Sequence, residues 1–248
     1  MIPYQDIQFT LAGGDHAPRH ADENYDHYHR RLSSTQSHIT VRRQQQPVFT
    51  VTVPPTVFNP LGGIAAQAFI SAILNGHVDV RSKRVVDMGC GCGIIGLAAI
   101  IAGCRSVLFT DINPNISGID EHSLFRTTHD RVSIQNLCAD EPNAAYDSIF
   151  FSIPSRVAES TPQSDSYESG IFRTAALPQQ SLTQASRVLK AGGDFCFFYR
   201  IYDQAFLNWL EFHQQLADKF ELATLKVLWH RREHDSHAVL FFINKRTG

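Results

Sequence analysis

The chain has 248 residues, 43% of them hydrophobic and 19% charged, with 22 Lys and Arg against 24 Asp and Glu for a formal net charge of −2. That is enough apolar material to bury a core, which excludes a chain disordered throughout, and the near-balance of charge leaves no field to gather a polyanion from a distance. Nucleic acid is therefore excluded from the expected partners, and so is a membrane: the longest apolar stretch, Ile94 to Cys104, falls far short of the ~20 residues that cross a bilayer. No basic flank followed by an apolar run opens the sequence, and its five cysteines form no Cys-x-x-Cys pair, which fits a reducing cytoplasm without structural zinc.

Residues 1 to about 46 are polar, and 1–57 reads as an N-terminal extension, or lid, before a larger domain at 58–248. Within the extension, Ala21 to Leu32 predicts a short helix with Tyr25, Tyr28 and Leu32 on one side. Pro47 to Phe58 predicts an edge hairpin or entry strand, because Pro54-Pro55 bars a central one. Apolar recurrence from Gly62 to Leu74 predicts a helix that stops near Asn75-Gly76. A strand at Arg84 to Asp87, a small-residue helix at Ile94 to Ala102 and a strand at Ser106 to Asp111 follow, and Asn113-Pro114 reads as an N-cap with its first helical residue. Further strands are expected at Val132 to Asn136, Ser148 to Phe151 and Asp194 to Arg200, with a helix from about Ala175 to Leu189. A helix at Gln204 to Lys219 then leads to two strands, Glu221 to Trp229 and His237 to Asn244, joined so directly that they must be antiparallel. Strands alternating with helices predict a doubly wound α/β domain around a mostly parallel sheet.

The sharpest feature is Asp87-Met88-Gly89-Cys90-Gly91-Cys92-Gly93, between a predicted strand and a predicted helix. Glycines let backbone turn tightly and approach a ligand closely, and the free N–H groups of a helix start favour an anionic end. Gly91 to Gly96 also satisfies G-x-G-x-x-G, so an oxidoreductase using a nicotinamide cofactor is a competing reading. Asp111 ends the next strand eighteen positions after Gly93, where a carboxylate can accept hydrogen bonds from ribose hydroxyls. Asp87 at the head of the alternating glycines separates the two readings: D-x-G-x-G-x-G resembles motif I of the class I S-adenosylmethionine-dependent methyltransferases.

The resemblance continues in order over about residues 58 to 200, through Thr110-Asp111-Ile112-Asn113-Pro114, Cys138-Ala139-Asp140 and Leu189-Lys190-Ala191-Gly192-Gly193. It implies a Rossmann-like α/β fold with a seven-stranded, mostly parallel sheet and a C-terminal antiparallel strand, and S-adenosylmethionine as cofactor. By this resemblance Asp87 and the backbone of Gly89, Cys90, Gly91 and Gly93 hold the methionine end. Asp111 takes the ribose, Ile112 packs on adenine with Asn113 in the same loop, and Asp140 meets the adenine amino group.

One departure bears on substrate. Release-factor glutamine methyltransferases and ribosomal RNA guanine methyltransferases carry Asn-Pro-Pro-aromatic after the fourth strand, where this chain has Ser152-Ile153-Pro154-Ser155. Ser152 and Ser155 can neither accept from a planar nitrogen as well as an Asn amide nor stack on it as well as an aromatic ring. Other polar candidates are Tyr25, His27, Tyr28 and His29 in the extension, and Tyr167, Tyr199, Arg200 and Tyr202 near strand ends; Ser152, Tyr28 and Tyr199 are the candidate catalytic residues. The histidines, including His16, His20, His230, His234 and His237, form no metal-ligand motif.

The first functional reading is methyl transfer to a small molecule held under the N-terminal segment. The second keeps the fold and changes the reaction: as in azetidine-2-carboxylate synthases, the amine of S-adenosylmethionine attacks its own side chain and releases methylthioadenosine. The third is a catalytically silent, cofactor-binding partner protein. The sequence leaves the oligomeric state open.

Overall fold

The computed structural model describes residues 6–12, 23–158, 163–202, 214, 225–233 and 236–245. Seven strands form the central sheet: β4 (Arg84–Met88), β5 (Ser106–Asp111), β6 (Arg131–Ile134), β7 (Tyr146–Ser152), β10 (Leu189–Tyr202), β11 (Leu225–Glu233) and β12 (Ser236–Asn244). Their order is β11-β12-β10-β7-β4-β5-β6, with β12 antiparallel to both its neighbours and every other pairing parallel. This is the α/β Rossmann-like architecture expected from the sequence.

Successive residues of a strand face opposite sides of a sheet, and here each side has its own core. Val85, Phe109, Phe150 and Cys196 belong to one apolar cluster with helices α2 (Ala65–Leu74) and α3 (Ile94–Ile101). Val86, Ile149, Phe151, Phe195 and Phe197 belong to a second, with Leu182, Ala185 and Val188 of α4 (Leu177–Val188). Cover on both faces accounts for strands that read as near-continuous apolar runs. Gly96 lets α3 close on the sheet, since a Cβ there would stand 2.3 Å from Phe109 Cε1.

The N-terminal segment differs from its expectation. Its polar sequence conceals two strands, β1 (Ile7–Ala12) and β2 (Ser37–Arg43), which join β3 (Gln46–Val53) in an antiparallel sheet of order β1-β2-β3. Alternation is the cause: Ile39, Val41, Val51 and Val53 face inward and enter the same cluster as Phe69 and Val85, while Thr40, Thr50 and Arg42 face outward. In their described part, residues 1–57 pack an inner face into the main core. The short helix is present as α1 (Tyr25–Leu32), capped by Asn24, but its buried residues are His29 and Leu32.

Two further expectations are corrected. Asn113-Pro114 does not open a helix: Asp111 Oδ1 accepts Asn113 N–H at 2.8 Å, Asn113 Oδ1 accepts Asn115 N–H at 2.9 Å, and these successive Asx turns carry the chain into irregular loop. The glycine turn at Leu189–Gly193 is a bulge inside β10, with Gly192 at φ +74°. The expected helix at Gln204–Lys219 lies outside the described residues apart from Gln214.

Among the described residues no helix is long and apolar enough to cross a membrane.

Candidate active site

A cavity of about 270 Å³ opens at the carboxyl ends of β4, β5 and β7, where ligands bind in open α/β sheets. Gly89 and Gly91 form its floor with φ of +63° and +53°, left-handed conformations that favour glycine. Gly93, at φ +75°, serves the entry of α3 and does not line the cavity. Its absent Cβ would press on Ile119 at 3.2 Å.

Asp111 ties the floor to the next wall. One carboxylate oxygen accepts Gly91 N–H and the other Asn113 N–H, both at 2.8 Å. Burial holds its pKa above the usual carboxylate range while these amides pull it down. Ile112 beside it is 45% exposed, a large apolar face turned to the cavity. Asn113, Asn136 and Leu137 continue this wall.

Asp87 lies beneath the turn rather than in the cavity. It is 1% exposed, and its Oδ2 accepts Gly96 N–H at 2.8 Å, capping the first turn of α3, while Oδ1 has no partner. Burial pushes its pKa up to about 8, the Gly96 amide opposing and Asp111 adding to the rise. A carboxylate pKa raised on folding contributes stability that is complete below about pH 4 and lost as pH rises through about 8. Asp87→Asn keeps an oxygen for Gly96 and removes the titration. We therefore expect thermal unfolding between pH 5 and pH 8 to show a falling wild-type Tm and a flatter variant profile; parallel profiles would contradict this assignment. Burial likewise pushes the Cys92 thiol up to about 12 and raises that of Cys90, so both are inert thiols at neutral pH.

The far wall joins the loop at Ser152–Ser155, which the sequence singled out, to elements that it did not. Phe58 and Pro60 lie on one side, and Phe151, Ser152 and Pro154 at the end of β7; Phe172, Arg173 and Leu177 close the other side. Phe172 and Arg173 form β9, which pairs with β8 (Arg156–Val157). Two glycines seat Phe58: a Cβ on Gly170 would stand 2.5 Å from Phe58 Cβ, and one on Gly62 would stand 2.0 Å from His29 Cε1, whose ring stacks on Phe58. Burial first, then Arg156, lowers the His29 pKa to about 4, so the ring is neutral at pH 7. Helix α1 braces this wall from outside through the Asp26–Arg156 ion pair at 2.6 Å, with Arg156 over the Phe172 and Tyr25 rings.

Of the residues expected in the site, Gly89, Cys90, Gly91, Asp111, Ile112, Asn113 and Ser152 line the cavity. Asp87 and Gly93 support it from behind. Asp140 does not reach it: the chain turns over buried Cys138, leaves Asp140 exposed, and offers Asn136 and Leu137 to the cavity instead. Tyr28 is turned away, its ring under the Arg31 guanidinium at 5.3 Å. Tyr199 is 6% exposed behind Arg173, whose Nη2 donates to its hydroxyl at 3.2 Å. Tyr167 accepts from Arg30, and Arg200 donates to Ser236, so neither is a wall residue. His230 and His237 stack on each other at the β11–β12 hairpin, and His16, His20 and His234 lie outside the described residues.

Comparison with known proteins bears on the fold. A family model described as lysine methyltransferase matches residues 62–144. Ribosomal protein L11 methyltransferase of Acinetobacter baumannii is 44% identical over 52 residues, 21% of this chain and 17% of that protein. Among solved structures, a ribosomal protein L11 methylase from Lactobacillus delbrueckii subsp. bulgaricus is 20% identical with a TM-score of 0.50, covering 74% of this chain and 79% of that one. The T. thermophilus 16S rRNA N2 G1207 methyltransferase, solved with AdoMet and guanosine, is 18% identical with a TM-score of 0.56, covering 86% and 51%.

The fold is that of the class I S-adenosylmethionine-dependent methyltransferases, and the segment around the glycine turn matches a methyltransferase family model. The matched segment spans about a sixth of the curated relative, 17% of its length, and the family model ends just before β7, so it covers the part of the fold around the glycine turn. The comparisons also correct one expectation. Charge balance led to the expectation of no nucleic-acid partner, and the first functional reading was a small-molecule acceptor; the similar methyltransferases carry names that specify a ribosomal protein and a ribosomal RNA, which contradicts that pairing. Overall charge balance speaks to long-range steering and says nothing of a short docking surface.

Proposed function

We propose that the chain methylates a side-chain amine of a protein, with S-adenosylmethionine as methyl donor. The donor supplies a methyl carbon on a sulfonium: the amine lone pair forms the C–N bond as the C–S bond breaks, leaving S-adenosylhomocysteine and one proton for solvent. The cradle fits such a nucleoside. Gly89 and Gly91 keep the floor free of side chains, the Asp111 carboxylate is suited to ribose hydroxyls, and the exposed face of Ile112 to adenine.

The observation that carries the choice of acceptor is the wall at the end of β7, where Ser152 stands among Phe58, Phe151, Pro154, Phe172 and Leu177. An alkyl amine threaded between such side chains loses hydration, and desolvation favours its neutral, nucleophilic form. The Ser152 hydroxyl can accept one N–H and aim the lone pair, whereas a planar base would need the carboxamide and ring that this loop lacks. Positioning and exclusion of water then carry the catalysis. The lysine methyltransferase description of the matching family model supports the same acceptor class.

The test is incubation of the purified protein with methyl-labelled S-adenosylmethionine and a cell lysate, followed by ribonuclease or protease digestion. Label that survives ribonuclease, is released by protease and hydrolyses to methyllysine is expected. Label in RNA, or methylthioadenosine in place of S-adenosylhomocysteine, would overturn the reading, the latter in favour of cyclisation.

A further inference from the structure

Only two of the described residues lining the cavity carry charge, and they stand at opposite ends. Asp111 follows β5, next to the glycine turn. Arg173 sits over the other end, tied to Tyr199 of β10, two strands away from β4 in the sheet. At ~4.8 Å between strands, the β10 backbone that carries Tyr199 stands roughly 10 Å along the sheet from β4.

Arg173 is held in place without being neutralised. Nη1 donates to Thr174 O and Nη2 to the Tyr199 hydroxyl, both at 3.2 Å, and the Tyr199 ring lies under the guanidinium at 5.7 Å. No carboxylate pairs with it among the described residues, and its buried Nε–H has no hydrogen-bond partner. Burial lowers its pKa, yet a guanidinium remains charged at any physiological pH. A desolvated cation with unused donors is costly unless something complements it. The Nη–H bonds left over, one on each terminal nitrogen, are the donors that can grip a planar anion.

We propose that Arg173 forms a carboxylate-binding subsite on the acceptor side of the cavity, which selects a protein segment bearing a carboxylate close to the methylated nitrogen. This rests on the reading of a protein acceptor. A carboxylate fits better than a phosphate because one guanidinium, with no lysine or second arginine among the described lining residues, matches a single negative charge. Hydroxyls of Ser152, Ser169 and Thr174 are in the same wall to take remaining lone pairs. Tyr199 is then a positioning residue: its hydroxyl and ring fix the fork.

The experiment titrates the S-adenosylhomocysteine-loaded protein with glutarate and, separately, with inorganic phosphate. Glutarate should bind saturably, at least tenfold more weakly to Arg173→Met, with intermediate values for Arg173→Lys and Tyr199→Phe. All three variants should keep their S-adenosylhomocysteine affinity within about twofold, which also reports that they fold. Equal glutarate binding by wild type and Arg173→Met, or no binding by either, would overturn the proposal. So would phosphate binding as tightly as glutarate, which points to a nucleic-acid backbone, or a tenfold loss of S-adenosylhomocysteine affinity in Arg173→Met, which assigns the guanidinium to the donor's own carboxylate. Label appearing in RNA would fail the protein-acceptor reading whatever glutarate does, so the two failures are distinguishable.

Discussion

Gly91→Val is expected to weaken S-adenosylhomocysteine binding by at least about 100-fold, or roughly 2.7 kcal/mol. Two effects add. Gly91 sits at φ +53°, where an L-residue costs ~1–2 kcal/mol and a β-branched one more. Its side chain would also enter the cavity, since the Cβ would point at Val57 Cγ1, a wall residue 3.5 Å away, and the two γ-methyls would take volume the nucleoside needs. Gly76→Val separates the effects: Gly76 has φ +71° with nothing within 4 Å of a Cβ, so that variant suffers backbone strain away from the site. Calorimetric titration and thermal unfolding should therefore show a lowered Tm in both variants and lost affinity in Gly91→Val alone.

Asp111→Ala is expected to lower the same affinity by about 10- to 100-fold, roughly 1.4–2.7 kcal/mol. The carboxylate both faces the cavity and accepts the Gly91 and Asn113 amides. Its removal takes away the ribose acceptor and frees the turn that shapes the floor. Each amide left without an acceptor costs ~1–3 kcal/mol unless water reaches it, and water has access along the cavity side. Asp111→Asn should fall between, because a carboxamide offers one oxygen and can serve only one of the two amides. Unchanged affinity in both variants, measured by titration calorimetry, would mean that the ribose binds elsewhere.

The cofactor half of the fold was legible in the sequence because its signals are local. Asp87 to Gly93 and Asp111 are short patterns whose spacing follows from strand, turn and helix, and strands alternating with helices gave the sheet its mostly parallel order. The acceptor half is assembled by contacts between distant segments. Phe58 becomes a wall only because Gly62 and Gly170 leave room around it, and Arg173 is aimed by Tyr199, 26 positions away. No periodicity marks such residues; Gly62 and Gly170, each ending a short 3-10 helix without a left-handed φ, are hints of close approach. The same locality explains the misses. Asp140 was matched by its place after β6, whereas the chain turns earlier, at Leu137 with φ +55°, and presents Asn136 and Leu137. β2 went unread because Ile39 and Val41 are its only apolar residues, and their alternation is short.

The most direct test is a crystal structure of the protein with S-adenosylhomocysteine. The account predicts ribose hydroxyls within ~2.5–3.0 Å of the Asp111 carboxylate, adenine against Ile112, and the sulfur turned toward Ser152. A nucleoside bound away from Asp111, or no binding at saturating concentration, would contradict it.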